Sequence, residues 1–436
     1  MKFLVLLLLS YIALFAQETF NTWFSEGTVK GNIKYYYIET NKNFISSIQT
    51  SAHSNALGGQ LEYTTSTLNG WKLGTTFMTT NAFLLPDNVE SSTIGQDNGI
   101  RGKDPTQSYS VLGEVYAEYS NSFLELWYGR RVITTPMIGA KKVRMLPSAI
   151  EGSEVNIFVD EKTNMSISYL QGFKQRSSDT FSNIIEHALG TDTYTITGSK
   201  QGYAFAMLVN HKEGALELNV YDLYAVEFLN TAYIDLTLKQ DFFTLSSQLV
   251  SQNSIGNADT NLAKTDSVTK GKRINASAFG MRAKINYKES SFDLVYRNVF
   301  RKSSAYDSII TPWDGTLLYA YSSTTNNLGQ SLYGKGLSAG GAYVGGTQGV
   351  KLGYTQKYDY TGTKGFKTHL AYARYQNSLY REDQEDLKAI LAYDIDSFSI
   401  QLKGIWINND TYTFKDGTVN QLDSLTQYHA IVNYKF

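Results

Sequence analysis

The chain has 436 residues, including 32 Tyr, 22 Phe, 35 Gly, 5 Pro and no Cys, and its 39 basic residues almost balance 40 acidic ones. Without cysteine there are no disulfides, thiolate zinc sites or thiol nucleophiles, and without a basic excess there is no electrostatic footprint for nucleic acid. Aromatic residues and glycine at this density, with little proline to interrupt hydrogen-bond ladders, describe pleated, half-exposed strands joined by turns.

The first sixteen residues, MKFLVLLLLSYIALFA, place Lys2 before an apolar run from Phe3 to Phe15 and end on Ala16, ahead of the polar QETF. This pattern predicts a secretory signal at 1–16, cleaved after Ala16. The run is shorter than the ~20 apolar residues a helix needs to span a bilayer, and no later run is long enough. Residues 17–436 are read as a single exported domain. Such a chain can still enter a membrane by closing a sheet, because a barrel pairs every backbone N–H and C=O internally.

Alternation of the barrel kind recurs along the chain. Ile33, Tyr35 and Tyr37 alternate with Lys30, Asn32 and Lys34 near the start. Phe279, Met281, Ala283, Ile285 and Tyr287 alternate with Gly280, Arg282, Lys284 and Asn286, and after a KES turn Phe292, Leu294 and Tyr296 alternate with Asp293 and Arg297. Phe398, Ile400, Leu402 and Trp406 alternate with Ser399, Gln401 and Lys403, and the sequence closes with Tyr428, Ala430, Val432, Tyr434 and Phe436 separated by His429, Ile431, Asn433 and Lys435.

A soluble β-sandwich alternates too, but it does not sort its connections by rim. Here tight turns near Asn69, Asn121, Glu161, Gly214, Gln240, Glu289 and Asp396 are interleaved with long polar connections at 81–107, 174–200, 251–273 and 302–346. The pattern predicts an all-β, transmembrane antiparallel up-and-down β-barrel of about 18 strands, with short turns on the periplasmic side and long surface loops outside. Strands are expected near 28–40, 54–67, 70–80, 108–121, 122–131, 151–161, 162–172, 200–211, 214–224, 230–239, 240–251, 274–288, 289–301, 348–358, 366–377, 385–394, 397–409 and 425–436. An even count brings both ends to the turn rim and lets the last strand pair with the first, which removes both edges. Phe436 would then sit in the lower aromatic girdle, where it resembles the terminal signal read by barrel-assembly machinery.

The connection after the fifth strand, WYGRRVITTPMIGAKKVRMLPSAIEGSEV, holds Pro136 and Pro147 together with Arg130, Arg131, Lys141, Lys142 and Arg144. Prolines suit a loop held in one shape. Gly129-Arg130, Thr135-Pro136, Arg144-Met145-Leu146-Pro147 and Glu151-Gly152 follow one another here, downstream of Gly58, Gly59, Tyr63, Gly70, Gly74 and Asn81. In these residues the sequence resembles the OprD family of substrate-selective outer membrane porins. It departs from the family at Lys141 and Lys142, where an acidic residue often precedes the arginine. The resemblance implies that this loop folds into the lumen and that Arg130, Arg131, Lys141, Lys142 and Arg144 line or brace the constriction. It also implies small carboxylate-bearing solutes.

An unplugged barrel of this size encloses an aqueous channel, so Lys34, Arg282, Lys284, Arg297 and Lys403, all in the polar register, are candidate basic residues of the lumen wall. The expected function is passive diffusion of small hydrophilic solutes and ions across the bacterial outer membrane. Its partners would be outer membrane lipids, solutes and the assembly machinery, with monomer and trimer both open, and no cofactor or metal is called for. A non-conducting adhesin or structural barrel is the alternative. An outer membrane phospholipase would need a His beside a Ser or carboxylate at the lipid rim, and His53, His187, His211, His369 and His429 carry no such motif in sequence. The Gly-rich GGAYVGGTQG lacks the Lys-Ser/Thr of a phosphate loop, and the chain is read as not an enzyme.

Overall fold

The computed structural model describes residues 20–44, 49–83, 108–140, 144–190, 193–264, 269, 271–317, 343–378, 383–408 and 422–436. The segment 1–16 and the pair Lys141 and Lys142 lie outside the described residues.

The strands are β1 (Thr28–Phe44), β2 (Gln49–Thr64), β3 (Trp71–Ala82), β4 (Tyr109–Ser120), β5 (Leu124–Arg131), β6 (Ala149–Phe158), β7 (Thr163–Lys174), β8 (Ser182–Asn183), β9 (Ala204–Glu213), β10 (Leu216–Ala225), β11 (Leu229–Lys239), β12 (Phe243–Ser254), β13 (Asn275–Tyr287), β14 (Ser290–Val299), β15 (Gln348–Lys357), β16 (Phe366–Gln376), β17 (Gln384–Ile395), β18 (Phe398–Asn408) and β19 (Leu422–Lys435). Each pairs antiparallel with its neighbour in sequence, except that the two-residue β8 lies on the top of β7 while β7 pairs directly with β9. Eighteen strands therefore close the barrel and β8 is an addition.

Closure runs through β1 and β19, in register from Asn32 opposite Lys435 to Asn43 opposite Ser424. The terminal residue joins the ladder: Phe436 N–H donates to the Gly31 carbonyl and Gly31 N–H donates to that of Phe436, both at 3.0 Å. All eighteen expected strands are present, with one extension. β1 and β2 run on to Phe44 and from Gln49, so much of the connection expected at 41–53 is a two-stranded ribbon.

Alternation sorts the side chains into two environments. Ile33, Leu61, Phe77, Ile167, Leu218, Leu249, Met281, Leu352 and Leu402 are exposed large apolar residues on the outer face. A cluster of exposed aromatics marks the turn rim, among them Trp71, Phe123, Phe158, Phe242, Tyr287, Phe398 and Phe436. On β19 Tyr428 and Phe436, eight residues apart, span roughly 27 Å along the strand at ~3.4 Å per residue. At a strand tilt of roughly 35–45° this length rises about 19–22 Å, most of an apolar band of about 25 Å bounded by aromatic girdles. The turns are tight because their residues accept left-handed angles: Asn69 has φ 50° and Gly70 φ 88°, the pair of positive values that a type I′ hairpin turn requires.

The lumen holds a second apolar core, to which described parts of the connections expected at 174–200 and 302–346 contribute, while residues 84–107 and 318–342 of the expected long loops lie outside the described residues. The short helices Ile184–Leu189 and Thr193–Thr197 bury Ile184, Ile185, Ala188, Leu189 and Ile196 against Phe173, Phe228, Trp313 and Leu317. Trp313 Nε1 donates to the Ile184 carbonyl at 2.9 Å. Apolar residues within the connections 175–203 and 300–317 face each other inside the wall, because this is where they escape water without lipid.

Candidate functional site

The loop between β5 and β6 enters the lumen and touches opposite walls. One limb reaches β10, where Thr135 Oγ1 donates to Tyr221 Oη at 3.2 Å. The other limb buries Met145 and Leu146 against Tyr36, Ile38, Ala56 and Met78 of β1 to β3. Lys34 of β1 fixes this limb by donating from Nζ to the carbonyls of Arg144 and Met145, at 3.2 and 3.1 Å. Between the limbs the loop forms a short bridge with the connection after β14: Gly139 N–H donates to Trp313 O and Thr316 N–H to Pro136 O, both at 3.0 Å. Two connections far apart in sequence thus meet inside the barrel.

Arg144 is 8% exposed. Its side chain hydrogen-bonds Tyr36 and acts electrostatically on Lys403 and His429. His429 Nδ1 meets Tyr36 Oη at 2.8 Å, so the Arg144 region rests on the seam where the barrel closes. Lys403 on β18 interacts with Lys388 on β17, and Lys388 in turn with Lys351 on β15. Arg282 on β13 joins the same wall, with its Nε 2.6 Å from Asp293 Oδ1, while Lys351 Nζ is 3.1 Å from Asp293 Oδ2. A row of cations therefore runs over β13, β15, β17, β18 and β1 to Arg144.

The facing wall is acidic. Glu114 accepts from Thr76 Oγ1 at 2.6 Å and from the Val132 backbone N–H at 2.8 Å. Glu154 accepts from Trp127 Nε1 and Ser168 Oγ, at 3.3 and 2.7 Å. Asp235 accepts from Tyr233, Thr237 and Gln248, and Glu217 from Asn210. The donors in these contacts are neutral groups. A solute on the axis would meet cations on one side and anions on the other.

The remaining candidates fall in several places. Arg131 points inward and reaches Glu118 at 3.0 Å and Glu125 at 3.5 Å, with its guanidinium over the Tyr116 ring. Arg130 shares the parity of Tyr128, which is 68% exposed, and pairs with Glu151 at 2.8 Å and the Phe181 ring at 4.4 Å. Arg297 is buried over Tyr375 and Tyr343, beneath the loop that follows β14. Lys284 is on the inner face in register with Asp293. Lys351 and Lys388 were not singled out from sequence, although the signal is there: Lys351 alternates with Val350 and Leu352, and Lys388 follows Leu387.

One histidine stands beside a hydroxyl and a carboxylate on the outer face, at the turn rim. His211 Nδ1 is 2.9 Å from Thr163 Oγ1 and its Nε2 is 4.0 Å from Glu213. Glu213 is exposed and held by Lys162 at 2.7 Å, which leaves the ring without the close carboxylate that orients a catalytic base.

No protein-family model matches the sequence, and no curated protein matches it. Solved structures do. The chain is similar to OccK9 (OpdG) of Pseudomonas aeruginosa, with a TM-score of 0.71 and 14% identity over 95% of this chain and 99% of that one. It is similar to the outer membrane protein OpdK of the same organism at 0.66 and 14% over 94% and 98%, a protein also solved with vanillate. OccAB4 of Acinetobacter baumannii gives 0.67 and 13% over 94% and 98%. At these identities the likeness is one of fold, and these neighbours are channels of the OprD/Occ type. The chain has their 18-stranded barrel and carries a belt of exposed apolar residues on its outer face.

Proposed function

We propose that this protein is a bacterial outer membrane channel for passive diffusion of small hydrophilic solutes, selective for those carrying a carboxylate. The observation that carries the reading is the row Arg282, Lys351, Lys388, Lys403 and Arg144 on one wall, opposite Glu114, Glu154, Glu217 and Asp235 on the other. Successive weak cationic sites let an anion enter and leave without a deep trap. The opposed carboxylates would orient a solute that also carries a donor or a positive group. In this orientation the turns face the periplasm and the constriction loops face outward. Phe436 and its ladder to Gly31 would serve recognition by the assembly machinery.

Purified protein in planar bilayers tests the reading. A single-channel current should appear, with a reversal potential in a salt gradient that favours anions. Vanillate, the carboxylate present in an OpdK structure, is the first organic probe; it should pass faster than an uncharged phenol of similar size. Absence of current from correctly folded protein would leave the non-conducting barrel as the reading.

A further inference from the structure

We propose that Asp314 is the positioning residue of the constriction: one buried carboxylate that locks three inward loops together and keeps the pore in a single conducting shape. The proposal rests on the channel reading above for its effect on current. Its structural half stands apart from that reading.

Asp314 is 2% exposed and adopts φ 59° although it is not glycine, a conformation that persists only where surrounding contacts over-determine it. It lies in the connection after β14. Its Oδ1 accepts from Arg176 Nη1 at 2.8 Å, a residue of the connection after β7. Its Oδ2 accepts from Ser148 Oγ at 2.6 Å, at the end of the connection between β5 and β6. Ser148 Oγ in turn accepts from the Arg176 backbone N–H at 2.9 Å, which closes a three-loop cycle. Lys174, fully buried beside it, donates from Nζ to the carbonyls of Pro147, Gln175 and Ser178.

Such a cluster does more than fill space. Its partners are 138 and 166 residues from Asp314 in sequence, so no local propensity can hold the loops in this relation. A buried ion pair is weak evidence of net stability, the more so here because Arg176 Nε is buried without a hydrogen-bond partner, yet breaking one partner is costly because the other charge is left unpaired. Such a pair selects one arrangement over near-equivalent ones. Asp314 is paired with Ile138 through an isolated bridge, so a shift of the carboxylate moves the inserted loop directly.

The test uses Asp314→Asn, Arg176→Met, their double variant and the milder Ser148→Ala, all in the full chain. Loss of a charge-assisted contact should raise the frequency of current interruptions about tenfold in either single variant. The reversal potential and the heat-modifiable mobility of the folded barrel should stay as in the parent. The double variant should be no noisier than the worse single, because both act through one pair. Limited trypsin digestion reads the loops independently of current: cleavage after Lys174 or Arg176 in Asp314→Asn, and after Lys174 in Arg176→Met, should accelerate by a similar factor. Quiet channels and parental digestion in Asp314→Asn would overturn the proposal, and so would independent, multiplying effects in the double variant. If the parent itself passes no current, the channel reading fails while the digestion result still decides the lock. If Asp314→Asn does not fold, Ser148→Ala decides, with a smaller change in the same direction expected.

Discussion

At Arg144 one guanidinium stands between a tyrosine, a histidine and the end of a row of lysines. A charge 4 Å from a passing ion is worth roughly 1 kcal/mol even at the dielectric of bulk water, or about fivefold in relative permeability. Arg144→Gln should therefore shift the reversal potential toward cations by about that factor. Asp293→Asn should do the reverse, since it releases Arg282 and Lys351 from their shared counter-charge. An unchanged reversal potential in both variants would mean that these groups do not face the stream. A different residue governs pH. His187, packed against the Phe173 ring at 4.5 Å between centroids, is held below its ordinary pKa by burial, while Asp314 pulls the other way and Arg176 adds to the depression. Folded His187 thus resists a proton that the unfolded ring accepts near 6.5. Its contribution to the loop core is complete above that pH and declines as pH falls through it. Current interruptions should grow below about pH 6.5, and His187→Phe should flatten the dependence.

The strands were legible because each has two environments with opposite demands, lipid outside and water or loop inside, and a period of two records both. Lys34, Arg282 and Lys403 could be assigned to the inner face on that ground alone. The loops were not legible in this way. Ile184, Ile185, Ala188 and Leu189 lie on a helix of six residues, too short to display a period, and they pack on Trp313, which is more than a hundred residues away. The acidic wall was also missed, since Glu114, Glu154 and Asp235 sit singly on different strands and only closure brings them to one side. Two elements invite mutation. A Cβ added at Gly31 would lie 2.7 Å from both the Gln60 carbonyl and the Phe436 ring, so Gly31→Val should disturb the closing seam. Gly31→Val and deletion of Phe436 should each lower the yield of heat-modifiable barrel in cells several-fold, and normal yield would show that the terminal pairing is dispensable.

Because the chain contains no cysteine, single introduced cysteines report topology for the whole molecule without background. With the loops outward, Tyr194→Cys should react with a membrane-impermeant thiol reagent in intact cells, since Tyr194 is 61% exposed. Cysteines at Glu161 or Phe242, at the other rim, should not, and the opposite pattern would invert the orientation. The lumenal core has a further consequence. This chain hides two apolar surfaces by different means: the belt is covered by acyl chains, whereas the residues around Trp313 are covered only by one another. Urea weakens the second kind of burial directly, but the belt is protected as long as the sheet stays closed in its lipid or detergent. The molecule should therefore lose its interior first, in an early step reported by Trp313 fluorescence, and its ladder of strands only under harsher conditions. Between the two steps an emptied cylinder, wider than the native interior, is the expected intermediate.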